Sequence, residues 1–189
     1  FTQDSAGQPV RDPLAWYFMM GGSGGGLGGH QDLGKWAITL PANQWLRFNK
    51  PGVYTLYAWS SRVQKGSCQL GQAEAETVTL VSDKVQITID PLTPEREQQI
   101  IARAKAKIAL GGDFVAPAVA QLRYLGTPAA RAELILLLGN DRTDVDAIMG
   151  LCAAPDPTVE ADNLLAAVSQ GKLPLCWNVT LCYAQLRTQ

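Results

Sequence analysis

The sequence predicts an α+β protein of two segregated parts, an antiparallel β-sandwich over residues 1–91 followed by an α-solenoid of paired helices over residues 92–189. Three observations carry this reading. Between Trp36 and Asp90 apolar residues recur in period two, as in Val85, Ile87 and Ile89 set against Gln86, Thr88 and Asp90, the pattern of a strand with one buried and one wet face. After Pro91 the spacing lengthens to the three and four residues of amphipathic helices. Within that second part apolar positions repeat at a common offset, as a stack of equivalent units requires.

The first 35 residues offer one short apolar run, Leu14 to Met20, with turn residues at Asp4-Ser5-Ala6-Gly7 and Arg11-Asp12-Pro13. Further strands are expected at Trp36 to Leu40, Trp45 to Phe48, Val53 to Val63, Thr77 to Val81 and Val85 to Ile89. Proline, which presets φ, and glycine, which reaches positive φ without a Cβ clash, separate these runs at Pro41, Lys50-Pro51-Gly52 and Lys65-Gly66-Ser67, with Ser82-Asp83 before the last. Pro51-Gly52-Val53-Tyr54-Thr55-Leu56 resembles the corner at which an immunoglobulin-like sheet enters its central strand, with Leu56 where such domains place Cys. About six strands fall short of the usual seven or more. The sandwich is therefore expected to be incomplete, with strands upstream of Phe1.

In the helical part Thr93 is an N-cap, Pro94 a first helical residue and Glu95 an acid at the positive end of the helix dipole, with Gly111-Gly112 as the stop. More helices are expected at 114–125, 128–138, 144–153, 158–170 and 174–187. An offset of 30 aligns Val115, Val145 and Leu175, then Val119, Met149 and Val179, then Leu122, Cys152 and Cys182. It also pairs Leu134 with Leu164, Ile135 with Leu165 and Leu138 with Val168. One apolar stripe per helix must stack on a neighbour to be buried, which is the logic of a solenoid. A helical bundle is the alternative, and it needs no common period.

Cys152 and Cys182 would sit at matching positions on helices about 8–10 Å apart, long for a disulfide, and read as small buried hydrophobes. Cys176 and Cys182 would be about 9 Å apart on one helix, so any bridge must cross helices or the helix must break. The states of Cys68, Cys152, Cys176 and Cys182 stay open. No CxxC is present and His30 is the one histidine, so no zinc spacing arises.

The run Asn43-Gln44-Trp45-Leu46-Arg47-Phe48-Asn49-Lys50-Pro51-Gly52-Val53-Tyr54-Thr55-Leu56-Tyr57, with Ser60-Ser61-Arg62-Val63 and Leu80-Val81-Ser82-Asp83-Lys84-Val85-Gln86-Ile87-Thr88-Ile89, resembles a group of secreted bacterial proteins. In these an Ig-like sandwich precedes HEAT-like helical repeats. Leu122-Arg123-Tyr124-Leu125-Gly126-Thr127-Pro128-Ala129-Ala130 is similar to the HEAT part. The resemblance covers most of residues 40–140 and implies an exported chain, secreted, periplasmic or at the cell surface, that extends at both ends. It brings no catalytic residue with it. A start at Phe1 in place of Met agrees with a processed, proteolysed or engineered piece.

Sixteen basic against 17 acidic residues give no cationic field, so a nucleic-acid or anionic-membrane partner is not expected. No run reaches the roughly 20 apolar residues of a membrane helix. Seven of the 18 glycines fall between Gly21 and Gly29. Gly24, Gly26 and Gly29 match a dinucleotide-binding pattern, but Trp36-Ala37-Ile38-Thr39-Leu40 after them is β-like where that motif needs a helix, so the tract reads as a surface loop. His30 beside it lacks a Ser, Cys or Asp partner and reads as a loop residue. Asp141, Asp144 and Asp146 lack the glycine and glutamate of a calcium loop and read as the acidic first turn of a helix capped by Thr143. Asn178-Val179-Thr180 matches a glycosylation acceptor inside a helical pattern.

Four of the five tryptophans lie in the β part. If Val53 to Val63 is one strand with Leu56 inward, Tyr57 and Trp59 share the outer face. They either pack under another segment or form a ligand platform for a carbohydrate ring. The function expected is therefore a non-enzymatic protein-interaction or scaffold module without cofactor or metal, joined by self-association through an open sheet edge. A carbohydrate-binding module using Tyr57 and Trp59 is the alternative. An enzyme comes third and would need His30 as its base.

Overall fold

The computed structural model describes residues 2–4, 6–10, 42–48, 50–65, 76–140 and 142–188. The expectations placed on Leu14 to Met20, Trp36 to Leu40, the Gly21 to Gly29 tract, His30, Cys68 and Asp141 lie outside the described residues. The protein is mixed α+β, and the chain divides into two compact units, Phe1–Pro91 and Leu92–Gln189.

In the first unit β1 (Thr2–Gln3), β2 (Gly52–Leu56) and β5 (Val85–Ile89) form an antiparallel sheet in the order β1-β2-β5, and β3 (Trp59–Lys65) pairs antiparallel with β4 (Glu76–Val81). The stretch expected as one strand from Val53 to Val63 is thus two strands in two sheets. The chain leaves the first sheet at Tyr57-Ala58 and returns to it at Ser82-Asp83-Lys84, and the two crossings are tied together. Ser82 N donates to Ala58 O at 2.9 Å, Ala58 N donates to Ser82 Oγ at 2.8 Å, and Lys84 Nζ lies 5.7 Å from the Tyr57 ring centroid. Trp45 to Phe48 is not a strand either. Ala42–Trp45 forms a short helix, α1, closed by Leu46 N donating to Ala42 O, and Phe48 packs edge-on against Tyr54 at 4.9 Å.

Tyr54 is the buried residue of β2, opposite Ile87 of β5, and its hydroxyl donates to Lys50 O at 2.6 Å. A phenol brought into a core needs such an acceptor, and the one used lies at the start of the strand itself. Ile87 and Ile89 are half-buried while Val85 is 57% exposed, so the period-two face of β5 fades toward that end. Upstream, Asp4 Oδ1 accepts from Ala6 N and Gln8 N, the local turn its short carboxylate favours.

The second unit holds α2 (Pro94–Leu110), a 3₁₀ turn (Gly112–Phe114), α3 (Val115–Leu125), α4 (Pro128–Leu136), α5 (Asp144–Cys152), α6 (Pro157–Ser169) and α7 (Trp177–Thr188). Their ends follow local chemistry. Thr93 Oγ1 accepts from Arg96 N at 3.2 Å, Thr127 Oγ1 from Ala130 N at 3.2 Å, and Asp156 Oδ1 from Thr158 N and Val159 N, each followed by proline at the first helical position. Gly126 closes α3 in the left-handed conformation at φ 61°, where a Cβ would be strained. In the packing α2 lies on α3, α3 on α4 and α5, α4 on α5 and α6, and α7 on both α5 and α6.

The burial bears out one row of the repeat, Leu122, Cys152 and Cys182, all buried, and corrects another. Val145, Leu165 and Leu175, expected inside, are 63%, 53% and 74% exposed. Buried positions in α3, α5 and α7 also recur at 32, as Val115, Ala147 and Val179, then Ala118, Gly150 and Cys182. Between α4 and α6 the offset of 30 holds for Leu134 and Leu164, both buried, and fails for Ile135 and Leu165, of which Leu165 is exposed.

Candidate interaction surface

Helix α7 carries two apolar rows. Val179, Cys182 and Leu186 are buried on the side that meets α5 and α6. Trp177, Leu181 and Ala184, at i, i+4 and i+7, form the opposite row and are exposed, Trp177 at 76%. Leu175, just before the helix, is also exposed, at 74%. An offset of 30 placed Leu175 in the core and assigned Trp177 nothing.

A buried polar cluster holds the start of α7. Asp144 at the head of α5 accepts from Gly139 N at 2.7 Å through Oδ1, and its Oδ2 accepts from Asn178 Nδ2. Thr143, expected to cap α5, donates its hydroxyl to Leu137 O at 2.6 Å and makes no side-chain cap bond. The acids thus do more than complement a helix dipole: Asp144 joins the α4–α5 turn to α7, and Asp146 Oδ1 accepts from Arg123 Nη1 of α3 at 2.8 Å. Asn178, the residue of the glycosylation match, has its amide committed to Asp144.

A groove of about 310 Å³ runs between α4 and α6, lined by Ile135, Leu136, Asn163, Ala166, Gln170 and Lys172. Its lining is mainly apolar, with Asn163, Gln170 and Lys172 as the polar members. Among the described residues no group of three or more His, Cys, Asp and Glu is placed to hold a metal ion. Cys152, Cys176 and Cys182 are free thiols. A hydrogen bond to Cys152, then burial, then repulsion from Cys152 and Asp144 push the Cys182 thiol far above the usual thiol range.

In the first unit Tyr57 and Trp59 do not continue one strand. Tyr57 lies in the crossing segment, half-buried beside Lys84, and Trp59 opens β3 opposite Val81, 46% and 58% exposed. Among the described residues no helix is long and apolar enough to cross a membrane. Comparison with known proteins finds no matching family model, no matching curated protein and no matching solved structure.

Proposed function

We propose that this chain is a non-enzymatic protein-interaction or scaffold module of an exported bacterial protein, an Ig-like sandwich followed by a HEAT-like solenoid that self-associates. The observation that carries the reading is the outer row of α7. Trp177 and Leu181 are 76% and 37% exposed on a helix whose opposite row is buried, and Leu175 just before it is 74% exposed. Exposed apolar residues along one helix face are costly in water and mark contact sites, and tryptophan is prominent among residues that dominate binding energy. Burial recurring at 32 through α3, α5 and α7 supports the solenoid, because each helix then presents one face to the helix before it. The Tyr54 hydroxyl bonded to Lys50 O supports the Ig-like corner.

The test is size in solution across a concentration series. Association that grows with concentration and is lost in Trp177→Ser/Leu181→Ser is the expected result. A chain monomeric at every concentration sinks self-association through this face. Exposure of Trp59 favours a second reading, carbohydrate binding, with Tyr57 as its neighbour. Polysaccharide pull-down separates the two, since retention unchanged in both Trp59→Ala and Tyr57→Ala removes the sugar platform.

A further inference from the structure

We propose that the outer edge of β5 pairs antiparallel with β5 of a second copy of this chain, about a two-fold axis through Ile87. The inference deepens the self-association proposed above and rests on that reading. Among the described residues β5 is the outer strand of its sheet, in the order β1-β2-β5, and it pairs with β2 residue for residue without a bulge. Val85-Gln86-Ile87-Thr88-Ile89 contains no proline and no charge. Edges are ordinarily closed to other chains by such devices, and a straight uncharged one offers its backbone N–H and C=O groups to a further strand.

The residues of β5 and its two flanks select a second copy as that strand and also select the register. Side chains alternate across the sheet, so Val85, Ile87 and Ile89 share one face with Tyr54, the buried residue opposite Ile87. Lys84, Gln86, Thr88 and Asp90, all exposed, belong to the other face. A two-fold axis through Ile87 sets Ile87 against Ile87, Val85 against Ile89, Gln86 against Thr88 and Lys84 against Asp90. Every pair is then apolar with apolar, polar with polar, or cation with anion. Val85, 57% exposed in one copy, gains Ile89 of the other as its neighbour. Lys84, whose Nζ lies 5.7 Å from the Tyr57 ring centroid, comes between Tyr57 and Asp90 of the second copy. The neighbouring registers fail. An axis through Gln86 puts Asp83 against Ile89, and one through Thr88 puts Pro91, which has no N–H to donate, against Val85.

Unlike charges directly opposed across a strand pair stabilise it and like charges oppose it, and the two-fold axis makes each such pair occur twice. A ladder of five residues from each copy buries far less than the roughly 1,000 Å² of a lasting interface. The edge therefore adds to the contact made by the outer row of α7 and does not replace it.

The test uses the full chain as Lys84→Asp, as Asp90→Lys and as an equal mixture of the two, with size in solution measured across a concentration series. Lys84→Asp alone sets acid against acid at both ends of the ladder, and Asp90→Lys alone sets cation against cation, so each should need about tenfold more protein than the wild type to associate. In the mixture a copy with two acids at these positions meets a copy with two lysines, and association should return to the wild-type range with one copy of each. Should either single variant misfold, the exchanged variant Lys84→Asp/Asp90→Lys decides, since it restores both pairs and should associate as the wild type does. Single variants that associate like the wild type, a mixture no better than its components, an exchanged variant that needs about tenfold more protein, or a wild-type chain monomeric at every concentration overturns the pairing. Trp177→Ser/Leu181→Ser, run alongside, separates this from the α7 reading. Association lost in that variant yet indifferent to the changes at Lys84 and Asp90 removes the edge alone; association that follows those changes and survives Trp177→Ser/Leu181→Ser removes the α7 row alone.

Discussion

Arg131 of α4 and Glu160 of α6 form an ion pair with Nε and Oε1 2.6 Å apart, their side chains only 10% and 4% exposed. The remaining groups are used as well. Arg131 Nη1 donates to Gly126 O, and Asn163 Nδ2 donates to Glu160 Oε2 at 3.4 Å. Removing one partner leaves the other charge buried alone, so Arg131→Ala and Glu160→Ala should each lose about 3–5 kcal/mol, whereas Arg131→Met/Glu160→Leu should lose far less. Urea unfolding followed by the helical signal measures all three.

Gly150 is a packing glycine inside α5. A Cβ at this position would stand 2.5 Å from Leu134 Cδ1 and 3.3 Å from Arg123 Cβ. Alanine improves helix propensity by about 1 kcal/mol, but Leu134 is fully buried and has little room to yield, so overpacking of about 1–3 kcal/mol should dominate. Gly150→Ala is expected to lower the urea midpoint. In combination with Leu134→Ala it should cost less than the two single changes added together.

Tyr54→Phe removes the donor to Lys50 O and leaves the ring in place against Phe48. The loss should be about 1 kcal/mol. Four of the five tryptophans belong to the first unit, so tryptophan fluorescence reports its unfolding.

The reduced chain should weaken in alkali. Cys182 is held protonated in the folded state, above its ordinary value of 9.0. A raised folded value means that this stability is fully present below the unfolded value and lost above it. Beyond about pH 9 the unfolded thiol ionises and the folded one does not, a decline of about 1.4 kcal/mol per pH unit. Unfolding free energies measured in reductant on both sides of that pH should fall less steeply in Cys182→Ala, and an equal slope in both proteins would contradict the assignment.

The helices were legible because their ends are local. Thr93-Pro94, Thr127-Pro128 and the glycines 111, 126 and 171 act on backbone within one turn of themselves, and all three glycines have positive φ. The register was not legible, because apolar identity and burial part company here. Val145 and Leu165 are apolar and exposed, while Ala147 and Gly150, too small to register as core, are buried where helices approach closely. The division of Val53 to Val63 depends on Ala58 meeting Ser82, 24 residues away, a long-range tie that alternation along a strand does not reveal. Of the outer row on α7, the sequence pattern marked the apolar residues without showing which way they face. Cys152 and Cys182, read as small buried hydrophobes, are both buried.

The pairing of β1 with β2 sets Thr2 against Leu56, and that of β2 with β5 sets Gly52 against Ile89. In the second unit the polar ties Arg123–Asp146, Arg131–Glu160 and Asp144–Asn178 span 23, 29 and 34 residues. Loop-closure entropy grows with the separation of the partners, and sheets that depend on distant pairing fold more slowly than helices stacked on their sequence neighbours. During synthesis the β unit leaves the ribosome first but must wait for the strand at Val85–Ile89 to complete its ladder, whereas each helix after Pro94 can dock on the one just made. The unit translated last is therefore the quicker to acquire structure.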